Sequence, residues 1–264
     1  MTRAAGRTLR APVFPLKDNI PTDRLPVVTL VLIGLNVVMY FLFQEGTIFE
    51  GPDQGIVIDY GAIPYEVTNP GEQCVAAQGG TEITCREGDG DLPPTWLTLL
   101  TSMFMHGGIL HLGGNMLFLW IFGNNVEDSM GRGRFIAFYL LGGVAAIALQ
   151  VAIGPGSQIP TIGASGAVSA VLGGYILLYP RARVVTLIFI IVFFTIVELP
   201  ALLVLGLWFA QQVAFGAFDV VNPTGGDGGV AYFAHIGGFV FGLLLIKVFA
   251  TRVKKTPTAR YPVY

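Results

Sequence analysis

Charged residues are scarce in this chain. They make up 12% of its 264 residues, while 53% are hydrophobic. Ordinary soluble domains carry roughly 25% charged residues. A soluble domain of this length would need more charged side chains at its surface, so the composition predicts a membrane protein. No basic stripe indicates nucleic-acid binding, and the formal net charge of −2 says nothing about partners.

Residues that commonly bind metals are also few. The chain has 2 cysteines and 3 histidines, and it contains neither a His-Glu-x-x-His segment nor a set of cysteine ligands. We therefore expect no metal and no organic cofactor. The basic N-terminal stretch is followed by a long apolar run and not by a short apolar region with a small-residue cleavage site. We expect no cleaved signal peptide.

Long apolar runs are what the chain has in abundance. A helix needs about 20 predominantly apolar residues to cross a hydrocarbon core of ~30 Å. Pro200 interrupts the apolar run at residues 184–218, because proline breaks the hydrogen-bond ladder of a helix. We predict an all-α membrane protein, a bundle of six transmembrane helices, with residues 184–197 forming a short interfacial or re-entrant piece. The predicted spans lie in residues 25–43, 92–126, 135–153, 162–179, 201–218 and 230–246.

The basic residues indicate the orientation of these spans. Six spans with both termini in the cytoplasm place every lysine and arginine except Arg86 on the inner side, as the positive-inside rule expects. Residues 1–24 are then a cytoplasmic segment, residues 25–249 a membrane domain with an outer loop at 44–94, and residues 250–264 a basic cytoplasmic tail. Cys74 and Cys85 fall in the outer loop, where an oxidising compartment permits a disulfide. Two free thiols are the alternative.

Polar side chains within the spans are candidates for function, because burying them in a membrane costs free energy. They include all three histidines, and the set is His106, His111, Asn115, Ser165, Glu198 and His235. The second, fourth and sixth spans each enter from the outer side. This topology predicts that four of these side chains, His111, Asn115, Ser165 and His235, lie at similar depths below the outer surface. A nucleophile, its base and its oxyanion donors need such convergence. Glu198, beside Pro200, is expected to be structural.

Three segments resemble the signatures of the rhomboid intramembrane serine proteases, in the order that this family shows. They read His106-Gly-Gly-Ile-Leu-His111-Leu-Gly-Gly-Asn115, Gly163-Ala-Ser165-Gly166 and Ala234-His235-Ile-Gly-Gly238. A single Gly-x-Ser-Gly is a weak signal in glycine-rich helices, but three motifs in order on the expected spans are specific. The resemblance covers roughly residues 96–245.

The resemblance implies a role for each site residue. Ser165 would attack the scissile carbonyl, and His235 would take its proton, in a dyad without an acidic third member. His111 and Asn115, with the backbone N–H of Ser165, would stabilise the oxyanion. A supporting role is expected for His106, for Gly163, and for Gly238, where a small residue lets two helices approach closely.

The implied substrates are transmembrane proteins with a span that unwinds near the outer face of a lipid bilayer, here expected to be a prokaryotic plasma membrane. The chain departs from the family at Ser169, where some members place an aromatic ring against the catalytic histidine, and after Trp96, where a family arginine is missing. The alternatives are an inactive rhomboid-like binding protein and a small-solute transporter. Transporters often contain internal repeats, and the two halves of this chain show none by eye.

Overall fold

Helices dominate the structure. The computed structural model describes residues 13–76, 83–88, 90–190, 193–221 and 230–254, so half of the basic residues expected at the two termini lie outside the described residues. π-Helical turns continue two of the helices, Met39–Phe43 after the first and Leu119–Gly123 after the fifth. The helices are α1 (Val27–Val38), α2 (Gln54–Tyr60), α3 (Pro64–Thr68), α4 (Thr95–Thr101), α5 (Ile109–Phe118), α6 (Asn124–Met130), α7 (Arg132–Ile153), α8 (Ser165–Leu178), α9 (Ala201–Val221) and α10 (Tyr232–Phe249).

Three of these helices are long and apolar enough to cross a membrane. They are α7, α9 and α10, and their bounds fall within a few residues of the predicted third, fifth and sixth spans. Shorter apolar helices cover Val27–Phe43 and Ser165–Leu178. A further helical stretch runs from α5 through its π-helical turn into α6 without a gap. The chain is therefore mostly helical with membrane-spanning segments, while the count of six spans stays a prediction.

The charge-free run at residues 92–126 is divided in two. After α4 a 3₁₀ turn (Ser102–Phe104) leads into Met105, which has an extended backbone, and α5 begins only after Gly108. Two consecutive glycines disfavour a helix here because their backbones lose the most freedom on ordering. His106 consequently precedes the helix, whereas His111 and Asn115 lie on it.

The expectation of an all-α fold is wrong in one respect, because the described residues also form two small sheets. Of residues 184–197, predicted as a short interfacial or re-entrant piece, the described ones (184–190 and 193–197) belong to two antiparallel paired strands. These strands consist mainly of β-branched and aromatic residues, which favour strands. An ion pair joins Arg183 to Glu198 at 4.0 Å, giving Glu198 a structural contact. One sheet has the order β1 (Val13–Asp18), β4 (Arg183–Ile190), β5 (Phe193–Pro200), and the other pairs β2 (Glu72–Ala76) with β3 (Ile83–Glu87).

The outer loop carries the second sheet. A disulfide joins Cys74 to Cys85, which face each other across the β2–β3 hairpin. The backbone N–H of Cys74 donates to Glu66 Oε1 at 2.7 Å. Burial raises the pKa of the Glu66 carboxyl above its ordinary value. Ile58 and Ile63 pack with Cys74 in a small apolar core, so the disulfide lies within a folded part of the loop.

Helix α8 lies at the centre of the molecule, and nearly all of its residues are buried. Its backbone packs directly against α10. A Cβ added at Gly238 would collide with the carbonyl oxygen of Gly166, and one added at Gly242 would collide with that of Ala170. Small residues allow this approach. The contact brings the start of α8, which carries Ser165, next to the first turns of α10, which carry His235.

The C-terminal end of the α5–α6 stretch, where Glu127 lies, is tied to α1. Both carboxylate oxygens of Glu127 accept hydrogen bonds from α1: Oε1 from the Val28 N–H at 3.0 Å, and Oε2 from the Thr29 N–H and hydroxyl, each at 2.8 Å. These N–H groups at the start of a helix have no partner within it. Glu127 therefore caps α1 from another helix.

Candidate active site

The four central residues predicted from the sequence line a single cavity. Ser165, His235, His111 and Asn115 border a space of about 790 Å³ between α5, α8, α9 and α10. The outer loop contributes Val57, Ile58 and Ile83 to its wall, and the segment before α8 contributes Ile159, Pro160, Thr161 and Ile162. A few polar groups thus converge in a largely apolar pocket, as is usual for ligand sites.

Ser165 is the first residue of α8. Gly163 approaches it with φ +119°, a conformation that residues with side chains rarely adopt. The Gly163 N–H donates to the carbonyl oxygen of Ser102 at 2.8 Å, which anchors the turn. Within the described part of the chain, the Ser165 hydroxyl makes no hydrogen bond. Its position at a helix start leaves it facing the cavity without a competing partner.

His235 is held from α9. Its Nδ1 lies 2.8 Å from Oε1 of Gln212, and both side chains are buried. With the amide oxygen of Gln212 facing the ring, which can only accept, this arrangement assigns the proton to Nδ1 and leaves the lone pair on Nε2. The ring of Trp208 lies 5.8 Å from the imidazole, tilted by 37°. His235 therefore has the tautomer of a base, although no hydrogen bond to Ser165 is formed in the described residues.

A nucleophile and its base need not be hydrogen-bonded before substrate binds. Catalytic hydrogen bonds in ligand-free enzymes are often long or poorly aligned, and they tighten when substrate binds. Ser165 and His235 border the same cavity.

His111 has the opposite tautomer. Its Nδ1 accepts a hydrogen bond from the Gly107 N–H at 3.3 Å. The neutral ring therefore carries its proton on Nε2 and can donate from that atom. A Cβ built on Gly163 would lie 2.8 Å from His111 Nε2 and 3.5 Å from Ser165 Oγ, so both atoms lie close to the same point. His111 can thus donate to a negative charge that develops beside Ser165.

Asn115 lies one helical turn after His111 and brings a second donor. It is 8% exposed, and its Nδ2 is buried with no hydrogen-bond partner among the described residues. A buried amide without a partner costs roughly 1–3 kcal/mol. Such groups call for a functional explanation, and a reacting group that needs a donor is one.

His106 lies outside the cavity lining and behaves as a support. Its backbone N–H donates to Gln44 Oε1 at 2.9 Å, and its carbonyl accepts from Gln44 Nε2 at 3.1 Å. The rings of His106 and His111 meet edge to face with centroids 5.1 Å apart. His106 therefore links the end of the first helix to the ring of His111. Within the described residues, no group of three His, Cys, Asp or Glu side chains could hold a metal ion.

Sequence reasoning missed Gln212 and Trp208. They lie four residues apart on α9, and therefore on one helical face, and both contact His235. No motif identified them. The available signal was a pair of glutamines, Gln211 and Gln212, within an otherwise apolar span, since polar residues there are functional candidates.

Several known proteins are similar to this chain. Rhomboid protein 1, mitochondrial, from Saccharomyces cerevisiae is 30% identical over 155 residues, which cover 56% of this chain and 40% of the yeast protein. The presenilin-associated rhomboid-like protein, mitochondrial, of Mus musculus is 29% identical over 153 residues, 56% and 37% of the two chains. Rhomboid protease GluP of Bacillus subtilis is 30% identical over 148 residues, 56% and 24% of the two chains.

The aligned region thus spans less than half the length of each of these relatives. Two of them are named as mitochondrial and one is bacterial, so the comparisons do not support the predicted prokaryotic plasma membrane. The Rhomboid domain model matches residues 93–252, which is more than half of the chain and includes all the candidate site residues. This protein, an integral membrane protein by its apolar helices, belongs to the rhomboid family.

Proposed function

We propose that this protein is an intramembrane serine endopeptidase in which Ser165 is the nucleophile and His235 the general base. The observation that carries the proposal is the pair of different hydrogen-bond partners at Nδ1 of the two histidines around one serine, an amide oxygen for His235 and a backbone N–H for His111. His235 presents a lone pair at Nε2, because Gln212 accepts from its Nδ1, whereas His111 presents an N–H at Nε2. One imidazole can accept the proton of the serine while the other donates to the oxyanion.

The reaction proceeds in two halves. Nε2 of His235 takes the Ser165 proton as Oγ attacks the scissile carbonyl carbon, and the carbonyl oxygen becomes an oxyanion. His111 Nε2–H, Asn115 Nδ2–H and the Ser165 backbone N–H donate to it. His235 then returns the proton to the amide nitrogen, the C–N bond breaks, and an acyl-enzyme remains. Water attacks this ester, its proton passes to His235, and Ser165 leaves with that proton restored.

Six transmembrane spans with cytoplasmic termini complete the proposal. The spans would be α1, the stretch α5–α6, α7, α8, α9 and α10. Helix α8 has 14 residues, and at 1.5 Å per residue it is about 21 Å long, shorter than a hydrocarbon core of ~30 Å. Buried among longer helices, its first residue would lie below the outer surface, in a cavity open to water. This depth suits substrates that are transmembrane proteins.

The test is cleavage of a model transmembrane substrate in proteoliposomes by the wild type and by Ser165→Ala. We expect the variant to lose activity by about 10⁴-fold or more, because members of such a catalytic unit act together. Ser157→Ala is the matched control, since that half-buried serine does not line the cavity. A serine-directed fluorophosphonate should label the wild type and not Ser165→Ala.

Other outcomes separate the alternatives. A wild-type protein that binds the substrate but neither cleaves it nor takes the label would be an inactive rhomboid-like binding protein. Solute uptake by vesicles without cleavage would indicate a transporter. Equal cleavage by the wild type and Ser165→Ala would refute the serine mechanism.

A further inference from the structure

Helix α9 packs against α10 in a register that brings Gln212 opposite His235. The rings of Phe209 and Phe239 are stacked with centroids 4.3 Å apart. At the other side of Gln212, a Cβ on Gly216 would lie 3.3 Å from Cβ of Tyr232. These two contacts flank the hydrogen bond between Gln212 and His235, so neither helix can slide without losing all three interactions.

The imidazole of His235 has no aromatic support from position 169, where some members of the family carry one. Position 169 carries a serine, whose hydroxyl donates to the carbonyl oxygen of Ser165 at 2.6 Å within α8. No aromatic ring stands there to hold the imidazole from α8. The groups that do contact the ring come from α9, namely the amide of Gln212 and the indole of Trp208.

We infer that Gln212 is the positioning residue of the catalytic histidine, filling the place that an acidic third member occupies in other serine hydrolases. This inference rests on the proposed function. The amide oxygen of Gln212 accepts the Nδ1 proton in the neutral ring and continues to accept it when Nε2 gains the serine proton. It thereby fixes the rotation of the ring, favours the tautomer protonated at Nδ1 while its oxygen faces the ring, and favours the imidazolium that forms during the reaction.

A glutamine can serve here where a carboxylate would be costly. A buried ionised carboxylate needs compensation by a partner charge or several hydrogen bonds. The amide oxygen provides the same acceptor at the same reach without a net charge. Its effect on the rate is expected to be smaller than that of an aspartate, because a neutral acceptor bonds less strongly to an imidazolium than a charged one.

Two substitutions at position 212 distinguish positioning from packing. Gln212→Met keeps the length and removes the acceptor, whereas Gln212→Glu keeps the acceptor and adds a charge. If Gln212 positions His235, the methionine variant should lose about 10–100-fold in kcat, as expected for a hydrogen bond to a charged group, with KM unchanged. The glutamate variant should keep more activity than the methionine variant. Val213→Met, on the exposed neighbour that neither lines the cavity nor contacts His235, is the matched control and should stay within about twofold of the wild type.

A purely structural role predicts the reverse order. Methionine suits an apolar helix contact better than a buried carboxylate, so Gln212→Met would then match or exceed Gln212→Glu. That order, or an unchanged kcat in Gln212→Met, would overturn the inference. Ser165→Ala run in parallel separates the two proposals: if it is inactive while both Gln212 variants equal the wild type, only the inference about Gln212 fails. If it cleaves normally, the serine mechanism itself fails.

A second measurement does not depend on turnover. The chain has 3 histidines, so the ring nitrogens of a ¹⁵N-histidine-labelled protein can be assigned by single substitutions. In Ser165→Ala protein we expect His235 protonated at Nδ1 and His111 at Nε2. Adding Gln212→Met should leave His235 as a mixture of tautomers. A His235 tautomer that does not respond to this change would refute the positioning role.

Discussion

Asn115 offers the sharpest test of the oxyanion site, because its amide donor is buried without a partner among the described residues. The perturbation is Asn115→Leu, which preserves the approximate size of the side chain and removes the donor. Removing one donor of an oxyanion hole typically lowers kcat by ~10²–10³, or about 2.7–4 kcal/mol. We expect a loss in this range with little change in KM, since the oxyanion exists only during the reaction.

Stability should respond in the opposite direction. A buried amide N–H without a partner has lost its hydration and gained no hydrogen bond, at a cost of roughly 1–3 kcal/mol. Replacing it with an apolar side chain removes that cost. The free energy of unfolding of Asn115→Leu, measured in detergent, should therefore equal or exceed that of the wild type. Activity and stability then separate, as expected for a site shaped for catalysis.

Asn125 is the matched control at the other end of the same helical stretch. Its Nδ2 donates to Asp18 Oδ2 at 2.8 Å and to the carbonyl oxygen of Ile20 at 3.1 Å. Asn125→Leu removes a donor from each acceptor, although Asp18 Oδ2 keeps the hydrogen bond from the Tyr175 hydroxyl at 2.6 Å. It should therefore lower the free energy of unfolding by roughly 1–3 kcal/mol. Its kcat at temperatures where it stays folded should change little. If Asn115→Leu instead kept kcat within about threefold while Ser165→Ala was inactive, Asn115 would not contact the oxyanion.

Three further predictions follow from close contacts. Gly238→Leu should abolish cleavage, because a side chain there collides with the α8 backbone; a variant that folds and cleaves normally would contradict this packing. Gly163→Ala should lower kcat by ~10² or more, since its Cβ would meet the His111 ring at 2.8 Å and its φ of +119° is strained for alanine; kinetics at saturating substrate measure this. Glu127→Leu should lower the unfolding free energy by about 2 kcal/mol or more, because three donors on α1, two of them at Thr29, lose their acceptor. Glu127→Gln keeps one acceptor, so its stability in thermal unfolding should lie between that of the wild type and that of Glu127→Leu.

The sequence predicts that the four candidate residues lie close together, because the predicted topology places them at one depth. Helices that enter from one side bring their first turns to one level, and this placed His111, Asn115, Ser165 and His235 together before any coordinates were known. In the structure the four residues line one cavity. Their chemical roles depend on which nitrogen of each histidine is protonated. That depends on neighbours such as Gly107 and Gln212, which a motif does not specify.

The β4–β5 strand pair shows where apolar patterns become ambiguous. A run of uninterrupted apolar residues fits a buried helix or a strand equally well, and periodicity does not separate them. Composition provided the missing signal, since residues 184–197 are rich in valine, isoleucine, threonine and phenylalanine, which favour strands. Pro200, which is predicted to interrupt the apolar run, ends a strand and directly precedes α9.

The contribution of α9 was hidden for a different reason. Motifs report residues that react, and Gln212 does not react: it acts through the ring of His235. The effect of Gln212 on His235 depends on the register in which α9 packs against α10. The Phe209–Phe239 stack and the Gly216 contact set that register, and neither can be predicted from the sequence of one helix. A base whose orientation comes from a neighbouring helix is correct only while the two helices stay together. Substitutions that loosen the α9–α10 contact, far from Ser165 in sequence, should therefore lower kcat through His235 even when every residue of the three motifs is intact.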